Sequence, residues 1–285
     1  MNLKFCPLWP IAKHNSWMKE GSEMTRDEWL KNKRIRIQKA ITRCFATHME
    51  GGWHENTITR DVLEAIGIKQ SITWEGRPFK SELRAFKAVG PHETANGDIA
   101  MKVTLSTSSG ASVVGTKYFE AKKLDLNGFR YSSLERDQLL RMKHLAGHEV
   151  LFYSLSKIGH PENNAIGVAG CLTTPMALML FEDGAPAFHS TWVSFDYTLY
   201  LALTGSGLNW DPAQAAAFEA MQARIAKRAS FFLDVRVSPR ELNLDLEPSH
   251  IPDGYEPLQS REIARPEEKN HVRKRDRSND FGMDR

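Results

Sequence analysis

The chain has 285 residues, 41% of them hydrophobic, enough to bury a sizeable core in one large domain or two small ones. A net charge of +3 and an isoelectric point near 8.7 are milder than those of strongly basic nucleic-acid-binding domains, yet tolerate a polyanionic partner. Cys6, Cys44 and Cys171 are too few and too scattered for a disulfide framework, and no run of about 18 apolar residues or leader-like segment stands out, so a cytoplasmic protein without a membrane span is expected.

Residues 1–24 read as irregular. Thr25-Arg26-Asp27-Glu28 forms a capping box, and the spacing of Trp29, Leu30, Ile37, Ile41 and Phe45 predicts a helix to about His48. The other face of that helix carries Lys31, Lys33, Arg34, Arg36, Lys39 and Arg43. It is either a solvated cationic surface or part of a phosphate-tracking one, with Arg34 and Lys39 as candidate contacts. After Gly51-Gly52, a second helix is expected from Glu55 to Ile66, closed by Gly67. Glu55 lies above the stripe of Ile58, Val62, Leu63 and Ile66. It reads equally as a partner of the helix dipole or as a carboxylate aimed inward at a site. Residues 71–89 are ambiguous between strands and a short helix.

Gly97 to Leu105 and Val113 to Lys123 alternate as strands, with Thr107-Ser108-Ser109-Gly110-Ala111 as the turn between them. The midpoint of 98 and 120 is 109, inside that turn, so an antiparallel hairpin sets Asp98 opposite Glu120. Ile99, Met101, Val103, Leu105, Val113, Phe119 and Ala121 form an apolar face; Asp98, Lys102, Thr104, Thr116, Tyr118, Glu120 and Lys122 form a polar one. Paired carboxylates across a ladder repel. They make sense either as solvated charges on an amphipathic hairpin or as ligands of a divalent cation. Two acids and a lysine around a hard cation suit attack of water on a phosphodiester.

Ser132-Ser133-Leu134-Glu135 offers a further capping signature, with a helix to Gly147. Glu149 to Lys157 reads as a buried strand, and Val168 to Leu172 and Met176 to Phe181 as strands or buried segments. Phe188 to Leu203 is apolar and undecided between strand and helix. Asp211-Pro212 opens a helix to about Ala229, and Phe231 to Val237 is a strand. Cys44 and His48, with Cys6 and His14 upstream, lack the paired spacing of a zinc site. Neither a nucleophile elbow nor a phosphate loop is present.

Gly97-Asp98 on one strand and Glu120-Ala121-Lys122 on the next, with Glu55 on the helix before and Gln138 on the helix after, resemble the PD-(D/E)xK nuclease superfamily. The resemblance covers about residues 50–157 and departs at Gly97, where the name-giving motif has proline. It implies an α/β protein: a restriction-endonuclease-like core over 50–160, with a mixed central sheet flanked by helices. An N-terminal segment and basic helix (1–49) would precede the core. An α+β extension (161–258), separate or part of the same domain, would follow, then a disordered charged tail (259–285). The implied activity is Mg²⁺-dependent endonuclease, with Mn²⁺ as a substitute, on nucleic acid and preferably DNA, in restriction or phage defence. Asp98 and Glu120 would hold the metal with the carbonyl of Ala121. Lys122 would orient or deprotonate water and stabilise charge on phosphate. Glu55 would be an accessory acid, Gln138 would position water or phosphate, and Arg141 and Lys102 would join Arg34 and Lys39 as nucleic-acid contacts. A homodimer or a partner subunit fits this picture. The alternative is a non-catalytic nuclease-fold subunit that binds nucleic acid or a partner protein.

Overall fold

The computed structural model describes residues 24–67, 69–74, 77–88, 97–126, 130–157, 165–184, 191–223, 229–239 and 254–258. The expectations for the first residues, for Cys6 and His14, and for the tail beyond 258 lie outside them. No helix among the described residues is long and apolar enough to cross a membrane.

In chain order the elements are β1 (Met24–Thr25), α1 (Arg26–Ala46), α2 (Glu55–Ile66), β2 (Lys69–Trp74), β3 (Arg77–Ala88), β4 (Ile99–Ser106), β5 (Ser112–Lys123), α3 (Arg136–Met142) and β6 (His148–Lys157). Then come β7 (Ala165–Thr173), α4 (Thr174–Glu182), β8 (Val193–Ser194), α5 (Phe195–Leu203), α6 (Pro212–Ala223), β9 (Phe231–Pro239) and β10 (Tyr255–Pro257). The protein is a mixed α/β fold. Among the described residues the strands form one ten-stranded sheet in the order β1-β2-β3-β9-β4-β5-β6-β7-β8, with β10 beside β3. β4 is antiparallel to β5 and parallel to β9; β5 is parallel to β6 through the crossover that carries α3. The described residues of the ambiguous stretch, 71–74 and 77–88, lie in the antiparallel pair β2–β3. Strands β7, β8 and β9, all drawn from residues 161–258, belong to this same sheet, and β9 lies between β3 and β4.

Local signals explain the starts of α1, α4 and α6. Thr25 caps α1 with both halves of the capping box: its hydroxyl accepts from the Glu28 N–H, and the Glu28 carboxylate accepts from the Thr25 N–H at 2.9 Å. Asp211 opens α6 by accepting from the Ala213 N–H at 2.9 Å. One expectation is corrected and two that the sequence left open are resolved. The third helix stops at Met142 and its N-cap is Glu135, not a serine; Leu145 is more than a third exposed, so nothing apolar draws the helix on to Gly147. Met176 to Phe181 is helical, because Pro175 sits in the first turn, where its missing N–H is not needed. The undecided stretch up to Leu203 is a two-residue strand followed by α5.

Helices cover both faces of the central strands. Phe119 meets Phe195 of α5 edge-to-face at 5.6 Å, and Tyr153 donates to Thr59 of α2 at 3.1 Å. On the opposite face Tyr118 meets Phe218 of α6 at 5.5 Å. Ala100 and Met101, neighbours that point to opposite faces, are both fully buried. The hairpin is therefore not an amphipathic ribbon with one solvated face.

The basic face of α1 is also corrected at one position. Lys33 is fully buried, donates to the Ile66 carbonyl at 2.8 Å and lies over the Trp29 ring. It caps the C-terminal end of α2, where carbonyls lack helical partners. Burial, helped by Arg36, pushes its ammonium down to about 7.

Candidate active site

The register of the hairpin places the carboxylates. Ile99 pairs with Phe119 and Ala100 with Tyr118, so the ladder continued by one step sets Asp98 against Glu120. Gly97 makes the entry to β4 possible. Its φ is 121°, and a Cβ there would stand 2.7 Å from the Phe119 carbonyl oxygen. Proline, confined to negative φ, has no place at this position. Asp98 is pinned on two sides. Its carbonyl accepts from the Phe231 N–H of β9 at 2.9 Å, and its Oδ2 accepts from the Ala121 N–H at 3.0 Å.

Glu120 and Lys122 alternate onto the same face and are only 2% and 6% exposed. Lys122 Nζ donates to Glu120 Oε1 at 2.6 Å, and Gln138 of α3 donates to the same oxygen. Glu120 Oε2 is buried and has no hydrogen-bond partner among the described residues. Glu55 arrives from the start of α2, where the nearby Lys123 N–H favours its ionised form. Trp53, just upstream, fixes that approach by donating its indole N–H to the Leu124 carbonyl at 2.8 Å.

The electrostatics record crowding of negative charge. Burial, then the charges of Glu120 and Glu55, push the Asp98 carboxyl up to about 8, against the pull of the Ala121 N–H and Lys122. Burial also raises Glu55; Lys122 opposes it and Glu120 adds to it. Burial works to lower the Lys122 ammonium, but Glu120, Glu55 and Asp98 outweigh it and the net shift is upward. An unpartnered buried oxygen on Glu120 beside an acid that resists ionising is a donor set short of positive charge, which fits a divalent cation. Among the described residues, no three His, Cys, Asp or Glu side chains stand ready as a metal cage. The carboxylates that face each other here are those of Asp98 and Glu120.

The structure brings together Asp98, Glu120, Ala121, Lys122, Gln138 and Glu55. The cationic candidates scatter. Arg34 is bonded to buried Asp196 at 2.9 Å, far along the chain from the cluster. Lys39 is exposed on α1, Arg141 is exposed one turn beyond Gln138, and Lys102 lies in register with Asp234 of β9. Two features near the site escaped the sequence reading. Lys117 sits on the apolar side of β5, buried against Glu149 at 2.6 Å; a charge that breaks the alternation was the available signal. His148, bonded through Nδ1 to Thr174 Oγ1 at 2.6 Å, reaches toward Gly97, and no local pattern announces it. No protein-family model, curated protein or solved structure matches the chain.

Proposed function

We propose that the protein is a metal-dependent nuclease that hydrolyses phosphodiester bonds, with DNA as the preferred polymer and restriction or phage defence as the setting. The observation that carries this reading is Glu120. It is a buried carboxylate with one oxygen held by Lys122 and Gln138 and the other without a partner among the described residues, facing Asp98 across the hairpin. Asp98, Glu120 and the carbonyl of Ala121 would hold Mg²⁺, or Mn²⁺ in its place. When bound, the cation supplies Lewis-acid stabilisation of charge on the phosphate.

The chain's own groups divide the rest. The upward shift of Lys122 keeps it an ammonium, suited to stabilising charge on a phosphate oxygen rather than to removing a proton. Glu55, whose carboxyl is raised, is the better acceptor for the proton of the attacking water. Gln138 holds Glu120 in place through its amide N–H. The test is a panel of duplex, single-stranded and RNA substrates with Mg²⁺ or Mn²⁺. Cleavage by the wild type and none by Asp98→Ala or Lys122→Ala is expected; full activity in both variants would refute the assignment.

A second reading, a nuclease-fold subunit that binds nucleic acid or a partner protein without cutting, is favoured by the lack of a three-side-chain cage among the described residues. It predicts nucleic-acid affinity that neither EDTA nor Asp98→Ala alters.

A further inference from the structure

We propose that the cavity lined by Trp192 and Arg34 takes one unpaired nucleobase of the substrate. This rests on the nuclease reading of the carboxylate cluster and deepens it by naming where a base near the cut phosphate is held. The cavity has a volume of about 350 Å³ and is walled by α1, β6, β7 and the segment that leads into α5.

The sheet places Trp192 relative to the cluster. Lys122 of β5 is in register with Phe152 of β6, and Phe152 with Gly170 of β7. Partners in register share a face, so these three positions form one row on the side of the sheet that carries Glu120 and Lys122. Trp192 ends that row. A Cβ on Gly170 would run into its indole, so the ring lies directly on the strand, and Phe152 flanks it at 6.4 Å between centroids. Two strand spacings, about 10 Å, separate Lys122 from Gly170. One nucleotide bridges that span when its base is turned out of the stack.

The walls select the ligand. Arg34 and Gln38, one turn apart on α1, line the cavity together with Ser156, Ser194 and Asp196. Asp196 Oδ2 accepts from two nitrogens of Arg34, at 3.2 and 2.9 Å. The one cation of the wall is thus matched by one carboxylate, and the remaining polar groups are an amide and two hydroxyls. Such a wall is neutral in sum and offers donors and acceptors side by side. A free phosphate, a carboxylate or an amine would give up its water there without meeting a net opposite charge. A neutral planar heterocycle fits: its edge carries donors and acceptors, one of its faces stacks on Trp192, and Ile37 and Leu155 supply apolar wall. The heterocycle that a phosphodiester hydrolase meets is a nucleobase.

The experiment uses the full chain with Ca²⁺ in place of Mg²⁺. Single-stranded DNA oligonucleotides, in which one abasic nucleotide is walked along the strand, are read by binding titration. With the wild type, one abasic position should cost about tenfold in affinity and the others little. Trp192→Ala should bind the intact strand about tenfold more weakly and respond to no abasic position, while Trp192→Phe keeps the wild-type pattern. Gln38→Leu, on the half-buried wall of α1, carries the same test should Trp192→Ala fail to fold. It should weaken binding of the intact strand and leave binding of the strand abasic at that position unchanged. A flat abasic scan with the wild type, alongside Asp98-dependent cleavage, would show that the cavity holds no base and leave the nuclease reading intact. A sensitive position that folded Trp192→Ala and Gln38→Leu both leave as it is would put the base elsewhere and overturn the proposal. If the wild type neither cuts nor binds any nucleic acid, both readings fall together.

Discussion

Ala121 donates its backbone N–H to Asp98 Oδ2 at 3.0 Å, so a carboxylate on one strand replaces a carbonyl in the ladder of the next. That bond fixes one oxygen of a carboxyl that feels the negative charges of Glu120 and Glu55. Because the folded Asp98 carboxyl lies near 8, above its ordinary 3.8, the folded state holds a proton that the unfolded chain releases. Stability from this group is therefore full below pH 4 and declines as pH rises through 8. Asp98→Asn should stabilise the metal-free protein at pH 8 by roughly 1–3 kcal/mol, with the advantage vanishing near pH 4. Thermal melts across pH, with and without Mn²⁺, test this. Mn²⁺ should raise the melting temperature of the wild type alone.

Lys33 gives the opposite slope. Its ammonium falls to about 7 in the fold from 10.5, so the unfolded chain binds the proton more tightly between those values. Stability from this group rises as pH climbs from 7 to 10.5. Lys33→Met removes the charged form, so it should gain on the wild type at pH 7 and lose that gain toward pH 10. Parallel urea titrations at the two pH values read the difference, and equal slopes for the two proteins would contradict it.

Gly97→Ala should be disproportionately harmful. Positive φ costs a residue with a side chain about 1–2 kcal/mol, and contact with the Phe119 carbonyl at 2.7 Å adds to it. The expected loss is about 2–4 kcal/mol, accompanied by weaker divalent-cation binding, because Asp98 is the next residue. Isothermal titration with Mn²⁺ alongside a denaturation curve separates the two effects.

Arg34 and Lys39 should part company. Arg34 is half exposed yet holds the buried carboxylate of Asp196 through two nitrogens. Arg34→Ala leaves that carboxylate without its cation and should lower stability by about 1–3 kcal/mol. Lys39→Ala should leave stability within about 0.5 kcal/mol of the wild type. If α1 tracks phosphates, Lys39→Ala should also flatten the salt dependence of DNA binding by about one unit of slope. Urea denaturation and binding titrations at several salt concentrations decide between these roles.

The parts of the molecule legible in the sequence are those set by short-range rules. The capping box at Thr25, the helix from Glu55 to Gly67 and the register of Asp98 against Glu120 each follow from a handful of adjacent residues. Burial of Glu120 and Lys122 was not legible, because it depends on α3 and on strands distant in sequence. Nor was the fate of Lys33: a cation on a helix surface reads as solvated until a second helix ends against it. The pairing of β9 with both β3 and β4 lies beyond any periodicity, since alternation reports which face a side chain takes and not which strand lies beside it.

That strand has a consequence for the order of events during synthesis. β4, the strand that Asp98 leads, borders β9, which begins at Phe231, and the Phe231 N–H holds the Asp98 carbonyl. A ribosome-bound chain that has emerged only through the hairpin has both carboxylates and the lysine but no neighbour on one side of β4. Closing so distant a pair is slow compared with forming the hairpin itself. The acidic cluster therefore reaches its final form only when most of the polypeptide has been made, and a truncated product carries the motif without the completed site.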